Sequence, residues 1–396
     1  MMATGYLKLG MLALMGASSA LAAAPTTTVP AWIASTTFAP AKPRAGELLR
    51  YDNQSVRQDV RGQTATTRIR LRLTNEYGTA PVTLDRIEIR RIAADGALGP
   101  ASPATFGGEP GTTIEPGAVA YTDMLAFPAP AFSDIAIIVH YPGETEPVAH
   151  RFLVRVADGT TTPTSATKPA RGAAIVSAIE TEAPPQQCRR VIVTLGDSIT
   201  EGAGSTPGND WPSRLGRALA GQSCPSIVAN AGISGNRVLT SGGSPSMIAR
   251  FDHDVLAVPG VTDLIVLGGI NDVRAVEEKA DDPAAGAALM IAGYRQIVAR
   301  AHAHGIRVIG GTVLPYKGTA RQGAYGLAAV DQINAAIRSG GVFDAVIDFN
   351  RAVADPADPQ RMRETMQKGD WLHPNDAGYE AMTTAIPPAL FSGEAR

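Results

Sequence analysis

The sequence predicts an α/β protein: a doubly wound parallel sheet covered by helices, preceded by an antiparallel β-sandwich. Three observations carry that prediction. Residues 26–156 largely alternate apolar and polar side chains, as half-buried strands do. From Arg189 onward, continuous apolar runs alternate with helical stretches, the pattern of strands buried on both faces. The chain has 396 residues, enough for two or three domains of ~100–200 residues each.

The first segment reads as an address. Lys8 precedes the apolar run LGMLALMGASSALAAA, which ends in small residues of the A-x-A kind. This is the pattern of a secretory signal peptide spanning 1–24. The run from Leu9 to Ala24 falls short of the ~20 residues that span a bilayer. The expected location is the periplasm or the exterior, with no membrane insertion. The composition agrees with a soluble globular protein that has a core: 44% hydrophobic and 18% charged. Its 35 basic and 37 acidic side chains leave a net charge of -2, which argues against a nucleic-acid partner. Two Cys and six His exclude a Cys-rich zinc module.

The sandwich is assigned to 25–156. TRIRLRLTNEYG puts Ile69, Leu71 and Leu73 on one face and Arg68, Arg70 and Arg72 on the other. The arginines read as a solvated outer face. IAIIVHY (135–141) and RFLVRV (151–156) are further strands, separated by turn clusters such as Asn75–Gly78 and Pro142–Gly143. Residues 157–187 are rich in Thr, Pro and Ala and read as a linker. Within it, AAIVSAIE reads as a short strand or helix.

The second domain is assigned to 188–396. Strands are expected at VIVTL (191–195), SIVAN (226–230), LIVLGG (264–269), RVIGGTVL (307–314) and AVIDF (345–349). Helices are expected from about Trp211 to Ala220, Ala288 to His304 and Leu327 to Arg338, with a last one starting near Asp376. Cys188 and Cys224 each precede a strand start. If those strands are parallel neighbours, the thiols come within disulfide reach, and an oxidising compartment favours the bond. The alternative is two separately buried thiols.

In such sheets ligands bind at the carboxyl ends of the strands. Four polar motifs fall there. GDSITEG places Ser198 at a strand-to-helix turn, where a side chain stands free and a helix N-terminus faces developing negative charge. NAGISGN offers the unobstructed N–H of Gly235. GGIND offers the side-chain amide of Asn271, a neutral donor suited to an oxyanion. GDWLHPNDAGY spaces Asp370 and His373 three apart, so one turn lets the carboxylate orient the imidazole as a base. Each motif alone is also a turn or a cap. Together they supply the parts of nucleophilic acyl transfer.

These motifs resemble those of the SGNH hydrolases, also called GDSL esterases/lipases: GDSITEG at 196–202, NAGISGN at 230–236, GIND at 269–272 and DWLHPN at 370–375. The resemblance covers roughly 189–390, with Ile199 where the family's name has Leu. It implies a flavodoxin-like three-layer α/β/α fold, Ser198 as nucleophile, His373 as general base and Asp370 as its orienter. It implies an oxyanion hole from Ser198, Gly235 and Asn271, with no cofactor and no metal. SGNRVL, GGINDV and GDWLHPNDAGY look most like a secreted bacterial branch linked to acetyl-xylan and related carbohydrate esterases, whose members commonly carry an N-terminal β-domain.

Other features read more plainly. GAGSTPG (202–208) fails the dinucleotide spacing, and G-x-S-x-G is absent around Ser198. His302 and His304 read as helix-end residues, and His140, His150 and His253 as structural or surface side chains. Asp197 and Asp272 read as loop holders. Trp371 reads equally as a pocket wall or a packing residue. The expected function is therefore a secreted serine esterase of short-chain, O-acetyl esters on a small-molecule or polysaccharide substrate. The rivals are a lipase, lysophospholipase, thioesterase or arylesterase of the same family, and a non-catalytic carbohydrate-binding protein. The oligomeric state is not legible.

Overall fold

The computed structural model describes residues 27–392 apart from 41–42, 184–188, 223 and 278. Residues 1–24, read as a signal peptide, and Cys188 lie outside the described residues. Two antiparallel sheets form the N-terminal sandwich. One orders its main strands Thr27–Ile33, Val176–Ala183, Thr66–Thr74 and Val119–Tyr121. The other orders Ala170–Ala173, Arg151–Asp158, Gln54–Arg61, Asp134–Tyr141, Arg86–Arg91 and Ser102–Ala104. Ile69, Leu71 and Leu73 point into the space between them and meet Ile87, Ile89, Ile135 and Ile137 in one buried cluster. The alternation thus buries the face it marks.

Two expectations change here. The stretch 157–187, read as a linker, holds sandwich strands. Val176–Ala183 pairs antiparallel with both Thr27–Ile33 and Thr66–Thr74, and is buried throughout except for Glu182. A strand covered on both faces shows no alternation, which is why its Ala- and Thr-rich sequence looked loose. The arginine face is also less solvated than expected. Arg70 pairs with Glu180 at 2.7 Å, and Arg72, 12% exposed, pairs with Glu76 at 2.8 Å. Arg68 alone is half exposed, bonded to Glu182 at 3.0 Å.

The second half is a five-stranded parallel sheet ordered Ser226–Gly232, Arg190–Gly196, Asp263–Leu267, Arg307–Gly311, Ala345–Ile347. In chain order this is 2-1-3-4-5, the flavodoxin-like arrangement. Helices α1 (Ser198–Glu201), α2 (Trp211–Leu219), α3 (Ile270–Val276), α4 (Pro283–His302), α5 (Ala324–Ser339), α6 (Phe349–Val353) and α7 (Asp376–Thr384) connect and cover it. One apolar cluster packs α4 and α5 against Val193, Leu195, Leu264 and Val266; another packs α2 and α7 against Ile192, Ile265 and Ile309. Alternate residues of the same strands therefore serve two layers. α4 starts earlier than the apolar pattern suggested. Pro283 sits at its first position, and the Asp282 carboxylate accepts the N–H groups of Ala284 and Ala285.

The two halves share a core. Val29, Ile33, Ala178 and Ala183 of the sandwich belong to the same buried cluster as Val191 and Leu264. Arg190 faces Ser226 across the first two parallel strands, so their starts lie side by side as expected. Cys224 is buried at that edge; its expected partner Cys188 is outside the described residues. Among the described residues no helix is long and apolar enough to cross a membrane.

The strand at 176–183 has a direct test. Ile179 is fully buried, so Ile179→Ala should cost about 2–5 kcal/mol in denaturant unfolding. A loss below about 0.5 kcal/mol, the size seen at exposed positions, would return this stretch to a linker.

Candidate active site

Strand Arg190–Gly196 is paired on both sides, and the turn at its carboxyl end is tightly specified. A Cβ on Gly196 would sit 2.0 Å from Thr200 Oγ1 and 2.7 Å from the Leu267 carbonyl oxygen, so only glycine lets the chain turn there. Asp197 is the N-cap of α1: its carboxylate accepts the Ile199 N–H at 3.0 Å. Burial pushes its pKa up to about 7. Ser198 is therefore the first residue of a helix, with its N–H among the groups a helix leaves unpaired. Gly202, at φ +104°, ends the helix after a single turn.

From the far end of the chain, Asp370 and His373 come to the same place. Asp370 Oδ1 accepts the N–H groups of Leu372 at 3.0 Å and His373 at 2.9 Å, closing one tight turn. Its Oδ2 lies 2.7 Å from His373 Nδ1. His373 Nε2 lies 2.8 Å from Ser198 Oγ. A carboxylate accepts only, so Nδ1 carries the proton and donates, and Nε2 is left to accept from the serine hydroxyl. Burial pushes the Asp370 pKa up, but bonds from the His373 ring and from the N–H groups of His373 and Leu372 outweigh it and hold the carboxyl at about 2. Burial lowers the pKa of His373; Asp370 opposes that, while Lys368 and Arg274 add to the lowering. The imidazole is therefore neutral at pH 7, the form that takes a proton.

The loop after strand Ser226–Gly232 supplies the opposite wall. The Asn236 N–H donates to the Ile233 carbonyl at 3.0 Å, closing a β-turn whose third residue is Gly235 at φ +77°. That position favours glycine. Among the described residues the N–H groups of Ser198 and Gly235 have no hydrogen-bond partner. Asn271, in α3, donates one amide hydrogen to the Asn236 carbonyl at 3.0 Å and keeps a second. Asp272 accepts the N–H groups of Val238 at 2.8 Å and Leu239 at 2.9 Å, pinning the same loop to α3. Asp197 and Asp272 thus hold loops, as expected.

Other sequence readings are refined. Trp371 packs: the Arg361 guanidinium lies 3.7 Å from its ring centroid, and Gly318 abuts the same side chain. Its backbone is left-handed at φ +59°, beside Asp370. The histidines read as structural or surface side chains each have a partner. His140 Nδ1 lies 2.6 Å from Asp85, and His253 Nδ1 lies 2.6 Å from Glu76. His150 donates from Nδ1 to the Ser35 carbonyl at 2.8 Å, with Nε2 3.3 Å from Glu201 in α1. His302 lies 2.9 Å from Asp344. Sequence reasoning missed Arg250, a fully buried arginine behind the Ser198 turn; no local motif marks it. Among the described residues no group of three or more His, Cys, Asp and Glu side chains is placed to hold a metal ion.

Residues 194–381 match the model of the GDSL-like lipase/acylhydrolase family. Among solved structures, a lipolytic protein of the G-D-S-L family from Desulfitobacterium hafniense DCB-2 is 23% identical, covering 49% of this chain and 96% of its own, at a TM-score of 0.38. An acylhydrolase from Bacteroides fragilis NCTC 9343 is 20% identical, covering 51% and 86%, at 0.39. A carbohydrate acetylesterase family member from Sinorhizobium meliloti is 16% identical, covering 51% and 97%, at 0.38. No curated protein matches.

The electrostatics of the pair can be measured without a substrate. The His373 ring should titrate below its ordinary 6.5 in an NMR titration of the imidazole signals. Asp370→Asn removes the influence that opposes the shift, so the midpoint should fall further. A midpoint above 6.5, or a rise in Asp370→Asn, would contradict this assignment of causes.

Proposed function

We propose, from the premise that residues 194–381 are a GDSL-like lipase/acylhydrolase domain and the chain a carboxylic ester hydrolase, that Ser198, His373 and Asp370 work as a catalytic triad. The observation that carries this reading is the continuous chain of bonds from Asp370 through His373 to Ser198, at 2.7 and 2.8 Å. Ser198 attacks the ester carbonyl while Nε2 of His373 takes the hydroxyl proton. Asp370 keeps the imidazole in the accepting tautomer and stabilises the imidazolium. The tetrahedral oxyanion lies against the N–H groups of Ser198 and Gly235 and the second amide hydrogen of Asn271. His373 returns the proton to the leaving alcohol, which departs and leaves an acyl-Ser198 ester. Water, activated by the same imidazole, then releases the acid.

The substrate we favour is a short-chain, O-acetyl ester on a carbohydrate. The motif resemblance and the secretory pattern of residues 1–24 support it. The enzyme then works in the periplasm or outside the cell, with the Cys188–Cys224 bridge closed by that oxidising medium.

The test is acetate release from acetylated xylo-oligosaccharides. Ser198→Ala and His373→Ala should each lower kcat by about 10⁴-fold or more, with folding intact by circular dichroism. Asn271→Ala should cost about 10²–10³-fold, the size of one oxyanion donor. Full activity in Ser198→Ala would remove the triad. Strong preference for long-chain esters over sugar acetates would move the substrate to the lipase and lysophospholipase side.

kcat/KM should fall on the acid side as His373 takes up a proton, with the limb below pH 6.5 because its pKa is lowered. A pH profile whose acid limb lies well above that value would point to another base.

A further inference from the structure

Arg250 is 1% exposed, yet it touches neither Ser198 nor His373. All of its guanidinium nitrogens are engaged. Nε donates to Asn236 Oδ1 at 3.1 Å. Nη1, with two hydrogens to share, lies 2.7 Å from the Ala231 carbonyl oxygen, 2.7 Å from Asp254 Oδ2 and 2.9 Å from Ser35 Oγ. Nη2 donates to the Gly196 carbonyl at 2.9 Å. Gly196 lies two residues before Ser198, and Asn236 directly follows Gly235. Ala231 belongs to the strand that leads into the Gly235 loop, and Ser35 follows the first strand of the sandwich.

We propose that Arg250 is a positioning residue that fixes the distance between the nucleophile turn and the oxyanion loop, and that Ser35 makes the N-terminal domain part of that support. The inference rests on the esterase reading above and adds to it a residue and a task for the β-domain. The guanidinium is planar and rigid, so carbonyls gripped by its two ends keep a fixed separation. The Gly196 carbonyl also accepts the Ile233 N–H at 3.2 Å, so the same oxygen joins the two segments twice. Asn236 is clamped from its other end, donating to Ser244 Oγ at 2.8 Å and to the Pro245 carbonyl at 2.7 Å. Its own carbonyl receives Asn271 at 3.0 Å. Asp254, on the segment that carries Arg250, keeps the buried cation paired. The oxyanion donors are thus oriented through Asn236, and Asn236 is oriented by Arg250.

A side chain that only held the fold together would, when altered, reduce the fraction of folded enzyme. One that sets donor geometry should weaken transition-state binding in molecules that are folded. The test compares full-length wild type, Arg250→Lys and Asn236→Ala. It reads kcat and KM for p-nitrophenyl acetate, the active-site count from a fluorophosphonate burst, and Ki for a phenylboronic acid as tetrahedral mimic. Asn236→Ala leaves Arg250 with Asp254 and both strand carbonyls, so it reports on the loop even where the arginine variant folds poorly. In both variants kcat per active site should fall about 10–100-fold, as misplacement by about 1 Å does. KM should stay within about 3-fold and Ki should rise in step with the loss in kcat/KM. Ser35→Ala should show the same pattern at a smaller size, about 2–5-fold. Wild-type kcat per site and Ki in the folded variants, with only the active-site count reduced, would overturn the proposal while leaving the esterase reading intact. A wild type that hydrolyses no ester and takes up no fluorophosphonate would overturn the esterase reading itself, and this inference with it.

Discussion

The site depends on one carboxylate being shared between a backbone turn and a ring. Asp370 uses one oxygen to close the turn that carries His373 and the other to hold the His373 ring. Neither bond suffices alone. Without the turn, the ring has no fixed place from which to reach across 175 residues of sequence to Ser198. Without the ring contact, the tautomer that accepts a proton at Nε2 is not selected. Burial then lowers the pKa of the imidazole and keeps it neutral near pH 7.

The sheet order explains why the other groups meet there. Ser198 follows the first strand in chain order and Asn271 the third, and these strands are neighbours; Gly235 follows the second, on the other side. The crevice outside the carboxyl ends at this switch in strand order is where open α/β sheets place their ligands. Glycines at 196 and 235 serve backbone geometry, one by close approach and the other by a positive φ.

What could be read from the chain was local. The four motifs are short; three sit at strand ends and the fourth in the loop before α7, and each is specified by glycines and polar residues within a few positions. The parallel sheet and the sandwich were legible because burial on two faces and on one leave different periodicities. The strand at 176–183 read only as a strand or a helix within a linker, since covering both of its faces erases the alternation. Arg250 was not legible, because only Asp254 among its partners is near in sequence: Ser35 lies 215 positions away and Gly196 lies 54. His150 was missed for the same reason, its ring joining Ser35 to Glu201 between the two halves. Nothing in the neighbourhood of such residues tells a buried hub from a surface charge. The N-terminal domain, which read as a separate module, shares an apolar cluster and polar contacts with the catalytic half.

The claim that Ser198 is a nucleophile activated by His373 is tested most directly by covalent trapping. The full chain is treated with a fluorophosphonate, digested, and mapped by mass spectrometry. One phosphonyl group per molecule is expected on the peptide bearing Ser198, with esterase activity lost in proportion and no modification in His373→Ala on the same timescale. Complete loss of activity with the group on another residue, or full activity with Ser198 modified, would contradict the claim.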